Sequence, residues 1–188
     1  MRNWILFSLV LVLVFQVVAS TEAQQTAPTP GTGTPTQAEM SRMLAEVLSW
    51  MVGDWEGNGT YADGRQFVGQ MSITSELDHS ALLVRRESMN KAGGASGGLK
   101  ELMVIGFDGI TKKIVMVAYD NSNNTGAYIG EVKEDSLVLN QATSQPGLVL
   151  RRTFRKNSDG GITYLVEKSS VAGKEPTKTL EIVFKKKV

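Results

Sequence analysis

"MVGDWEGNGTYADG", Met51 to Gly64, is the stretch on which the fold turns. Before it, apolar residues recur at helical spacing; after it, they alternate with polar ones. Trp55 stands at that change of period, with Gly53, Gly57 and Gly59 around it. Gly53 is a natural helix stop. A buried tryptophan at this point can plug the narrow end of a curved sheet. Gly57 and Gly59 take away side chains where a strand bends sharply or runs close to a neighbour. These residues therefore read as structural.

Upstream, "TQAE" at Thr36–Glu39 has the capping-box arrangement of a helix start. Met40, Met43, Leu44, Val47, Leu48 and Met51 then share one face, which predicts a helix packed on the domain's own core. Residues 24–36, rich in Thr, Pro and Gly, lack any apolar periodicity and read as a disordered tether. Residues 1–23 have the layout of a secretory signal peptide: Arg2, an apolar run from Trp4 to Phe15, and small residues for cleavage after Ser20 or Ala23. An uncleaved anchor is the alternative, but the run is short against the roughly 20 residues of a spanning helix. The expected product is secreted or periplasmic, with no membrane attachment after cleavage. The chain has no cysteine, which excludes a bacterial lipoprotein anchor and leaves residues 37–188 to be held by their core alone.

Downstream, "RQFVGQMSITSEL" alternates, with Phe67, Gly69, Met71, Ile73 and Leu77 on one face. Turn signals such as "FDGITKK", "DNSNNTG", "SQPG" and "NSDGG" then separate further short apolar or alternating runs. About ten strands result by this reading. With a single helix to cover it, such a sheet must bury its own interior. The prediction is an all-β, antiparallel, up-and-down barrel with the N-terminal helix capping one end.

"GDWEGNG" after an amphipathic helix resembles the Gly-x-Trp opening of the calycins, the lipocalin and fatty-acid-binding-protein group. With "GFDGITKKIVMVAYDNSNNTGAYIGEV" it is most similar to the family known as domain of unknown function 1579, and nitrobindin-type barrels open in a similar way. The resemblance runs from about Met40 to Lys187. It implies a calycin-like barrel and no established activity.

Few residues suit catalysis or metal binding. His79 is the only histidine and falls in the turn "LDHS". Zinc and copper therefore lack an ordinary ligand set, and a Ser-His-Asp triad would have to recruit this turn. The proximal histidine that nitrobindin-type haem binding uses late in the barrel is missing. "DNSNNTGAYIGE" places Asp120, Ser122, Asn124 and Glu131 at calcium-loop positions, but Thr125 stands where the loop requires glycine. The expectation is a protein that is not an enzyme and has no cofactor or metal. A formal net charge of +1 gives no phosphate-tracking surface, so nucleic acid is not an expected partner. Oligomeric state is not legible.

The informative signal is charge on an inward face. If Leu82 and Val84 point inward, Arg86 follows them; Arg152 shares a face with Leu148, Leu150 and Phe154; Tyr164 lies between Ile162 and Val166. Arg86, Arg152 and Tyr164 are thus the candidate ligand-binding residues, for a small, partly apolar, carboxylate-bearing ligand. Fatty-acid-binding proteins hold a carboxylate with such a set, and the guanidinium fork matches that geometry. The alternative is a structural or interaction domain whose barrel is filled by side chains, its arginines reaching solvent or pairing with Glu87 or Glu167. A cavity of at least ~300 Å³ separates the two. Asn90–Gly98, "NKAGGASGG", is expected to be the most mobile segment and a lid at the barrel mouth.

Overall fold

A computed structural model of the chain describes residues 37–90, 98–142, 149–169 and 175–188. The leader, the tether, Leu148 and nearly all of the glycine-rich Asn90–Gly98 segment lie outside the described residues.

Helix α1 spans Gln37–Leu48 and passes through a 3-10 turn, Ser49–Met51, into the barrel. Leu44, Leu48 and Met51 are buried, as their spacing predicts. Val47 is 39% exposed instead. A helix laid across a barrel end touches it along a narrow line, and Val47 sits at the flank of that line.

Ten strands follow: β1 Gly53–Tyr61, β2 Gln66–Glu76, β3 Ala81–Asn90, β4 Leu99–Asp108 and β5 Lys113–Asp120. After them come β6 Thr125–Lys133, β7 Ser136–Gln141, β8 Val149–Lys156, β9 Ile162–Ser169 and β10 Thr177–Lys186. Each pairs antiparallel with the next, and β1 pairs with β10, so the sheet closes into an up-and-down barrel. Closure leaves no edge strand exposed to other chains. Alternation sorts the side chains: Phe67, Met71, Ile73, Val84, Met103, Ile105, Phe154 and Phe184 all fill the interior.

The opening motif takes the role its residues predict. Trp55 is 2% exposed, and its indole N–H donates to the Met51 carbonyl at 2.9 Å, tying β1 to the turn beneath α1. A Cβ on Gly57 would lie 2.1 Å from the Val183 carbonyl oxygen of β10, so the neighbouring backbone already occupies that space. A Cβ on Gly59 would lie 2.2 Å from the ring of Phe67, which covers it from β2. One glycine admits backbone and the other admits an aromatic ring.

Leu77 departs from the expected pattern. It is 75% exposed, because β2 ends at Glu76 and Leu77 opens the turn to β3 rather than extending the inward face. Leu77, Asp78 and His79 all have positive φ, at 51°, 52° and 68°, a left-handed turn built without glycine.

The two ends of the barrel differ. Leu44 and Val47 of α1 lie beside Phe107, Lys113 and Ile114, at the end carrying the β4–β5 turn. The opposite end carries the β5–β6 turn, and a cavity lies beside that turn. Among the described residues no helix is long and apolar enough to cross a membrane.

Candidate functional site

The polar site inside the barrel is built by strand parity. On β3 the inward positions Leu82, Val84, Arg86 and Ser88 are all buried, so alternation carries a guanidinium into the lumen. On β4 the same rule turns Glu101, Met103 and Ile105 inward. Arg86 and Glu101 are direct partners across the β3–β4 ladder. Arg152 enters from β8 and Tyr164 from β9, a pair of strands that brings Phe154 and Tyr164 ring to ring at 4.7 Å.

One carboxylate gathers the cluster. Arg86 Nε donates to Glu101 Oε2 at 2.7 Å, and Arg86 Nη2 adds an ion pair to the same oxygen. Arg152 Nη1 donates to Glu101 Oε1 at 2.8 Å and to the Tyr164 hydroxyl at 2.6 Å. The rings complete the packing: Arg86 lies over Tyr164 at 5.2 Å and Arg152 over Tyr128 at 5.0 Å. The three expected residues therefore meet in one place.

Glu101 and Tyr128 are the members that sequence reasoning missed. Glu87 and Glu167, the expected alternative partners, pair outside the cluster with Lys100 at 3.3 Å and Arg151 at 2.8 Å. The signal for Glu101 was present in "LKELMVIGF", where it shares parity with Met103 and Ile105. A charged residue on an apolar stripe is the same signal that singled out the arginines.

The electrostatics follow from burial in opposition to pairing. Burial works to raise the Glu101 carboxyl, but Arg86 and then Arg152 outweigh it and hold the group below its ordinary value. Burial pushes the Tyr164 phenol up to about 12, although Arg152 pulls the other way. For Arg152, burial opposes the charge, and Tyr164 and Glu101 more than offset it, so its pKa rises. All three groups hold their ordinary protonation states across neutral pH: carboxylate, phenol and guanidinium. Arg86, Arg152 and Glu101 by themselves sum to a formal charge of +1. The Asp120 carboxylate, ladder partner of Glu101, is held low against burial by hydrogen bonds in its turn and also by nearby Arg152. Among the described residues, Arg86 Nη1, Arg152 Nε and Ser88 Oγ are buried without a hydrogen-bond partner. Native proteins rarely leave such atoms unmatched.

A cavity of about 580 Å³ opens onto this cluster from the β5–β6 end. Glu101 and Arg152 lie at its base, Ala118, Tyr128 and Leu150 on its walls, and Asp120, Asn124 and Gln141 toward its outer part. Arg86 and Tyr164 lie deeper, behind Glu101 and Arg152. A larger concavity, about 790 Å³, runs along β1–β5; its lining includes Gln70, Arg85, Lys100 and Tyr119, of outward parity, together with Arg86 and Glu101 of the cluster. The smaller cavity is the one that reaches Arg152 and Tyr128 as well as Glu101.

The other candidates resolve simply. His79 is exposed in the β2–β3 turn, with its Nδ1 2.8 Å from Ser75 Oγ. Asp120 is a turn former: Ser122 N and Asn124 N donate to its Oδ1 at 2.8 and 3.0 Å, and Asn124 Nδ2 donates to Oδ2 at 2.9 Å. Those bonds tie the Asp120 carboxylate into its own turn. Among the described residues, no three His, Asp or Glu side chains are gathered as metal ligands would be. No protein-family model matches the chain, and no curated protein matches it.

Proposed function

We propose that this protein is a calycin-like binding barrel, exported as a secreted or periplasmic protein, that takes a small, partly apolar anionic ligand at its open mouth. One observation carries the reading: two buried guanidiniums share a single carboxylate at the base of a cavity of about 580 Å³. Arg152 lines that cavity, and a guanidinium fork is suited to a carboxylate. The cavity volume lies within the ~300–1,000 Å³ of ordinary ligand sites. Ala118, Leu150 and the face of Tyr128 supply the apolar part of the contact. Among the described residues no group in the mouth is arranged as a nucleophile with its base, and the proposal is binding without chemistry.

The pairing of both arginines with Glu101 favours a second reading, a structural barrel whose interior is satisfied by its own side chains. Native mass spectrometry of protein purified from its own host separates the two. A co-purifying small molecule, lost in Arg152→Gln at preserved melting temperature, supports binding. A bare chain mass, together with no uptake of carboxylate probes by the wild type, supports the filled barrel.

A further inference from the structure

We infer that the ligand is a compact carboxylate carrying hydrogen-bond donors at its far end, such as a hydroxylated or amino-bearing short-chain acid, and not a long acyl chain. The inference rests on the mouth being an anion site, and it comes from what lies below and around that site. Below, the lumen is blocked. The Arg86–Glu101–Arg152–Tyr164 chain of contacts runs across it from β3 and β4 to β8 and β9. Beneath this floor, toward the β4–β5 end, Met103, Ile105 and Phe154 are fully buried and packed as core. A ligand whose carboxylate reaches Arg152 can therefore extend only outward.

Outward, the walls turn polar within a short distance. Buried Ala118 and Tyr128 and half-buried Leu150 share the lining with half-buried Asp120 and Gln141 and with exposed Asn124 and Thr125 of the turn. A long alkyl chain leaving past that lining would strip water from amides and a carboxylate and return no hydrogen bonds, which is unfavourable. Hydroxyl or ammonium groups at the same height would meet acceptors. Asp120 retains capacity on Oδ2, which accepts only from Asn124 Nδ2 in its own turn. The Asp120 carboxylate, ladder partner of Glu101 and more exposed than it, lies on the solvent side of the Arg152 guanidinium's neighbourhood. Such a mouth suits a molecule that is anionic at its inner end and a donor at its outer one.

Titration calorimetry on the full chain with gluconate, glutamine, hexanoate and hexadecanoate tests this directly. The expected result is binding of gluconate or glutamine at least about tenfold tighter than of hexanoate, which matches gluconate in carbon count but lacks its hydroxyls. Arg152→Gln should abolish that binding. Gln141→Ala, at the rim and outside the packed core, should weaken gluconate or glutamine and leave hexanoate unchanged, and it keeps the test valid if Arg152→Gln fails to fold. Equal or tighter binding of hexanoate or hexadecanoate, dependent on Arg152, would overturn the compact donor-bearing ligand and leave the anion site standing. Binding of none of the four by wild-type protein would overturn both.

Discussion

Two guanidiniums and one carboxylate share the lumen, so the side chain of Glu101 governs how the others are tolerated. A buried ion pair adds little net stability, but removing one partner leaves a charge with neither water nor counter-ion. Glu101→Gln strands two charges at once. It should lower stability by about 3–5 kcal/mol, read as a fall in denaturant midpoint at unchanged m-value. High concentrations of acetate should recover part of that loss if the cavity admits a small anion to Arg152. A midpoint within about 0.5 kcal/mol of wild type would mean that water already solvates the guanidiniums and the cluster is not closed.

At the scale of elements, the junction of α1 with β1 and the turn from β2 to β3 make opposite predictions. Trp55 joins the helix end to the barrel through its buried ring and its bond to Met51. Trp55→Ala removes both and should cost about 3–5 kcal/mol. A thermal melt within about two degrees of wild type would contradict that burial. The β2–β3 turn holds three consecutive non-glycine residues in left-handed backbone, and Leu77 contributes no buried contact to compensate. Leu77→Gly relieves a steric cost of about 1–2 kcal/mol and adds a smaller entropic one. It should therefore raise the melting temperature, an unusual outcome for a leucine-to-glycine change. A lowered melting temperature would show that Leu77 makes contacts its exposure does not suggest.

For the whole molecule, the polar cluster sets limits to stability at both ends of the pH scale. The Glu101 carboxyl is held below its ordinary value of 4.5, so its contribution is full above that value and is lost as pH falls through the lowered one. The Tyr164 phenol is raised to about 12, so the folded state keeps a proton that the unfolded chain releases near pH 10. That contribution is full below about pH 10 and is lost as pH rises through about 12. Denaturant midpoints measured from acid to alkali should fall at both limits. Tyr164→Phe should flatten the alkaline fall and leave the acid one in place. Surface carboxylates Asp63 and Asp108 are also held low by local hydrogen bonds, so the acid fall should shrink, not vanish, in Glu101→Gln. An alkaline limb unchanged by Tyr164→Phe would place its cause elsewhere.

The amino-acid order alone predicted about ten strands and the capping helix, and it set Arg86, Arg152 and Tyr164 on faces shared with apolar residues. Those features rest on local periods of 3.6 and 2, which a single chain displays. The exposure of Leu77 escaped it because alternation does not mark the residue at which a strand stops. Glu101 was legible in parity, yet its role was not. It meets Arg86 across 15 residues and Arg152 across 51, and closure of the sheet chooses such partners where spacing cannot. Whether a guanidinium inside the barrel is balanced, and whether open volume lies above it, depends on side chains from four strands converging at one depth. Strand period places each of them on a face, but only the tilt and stagger of the closed barrel bring them to the same level.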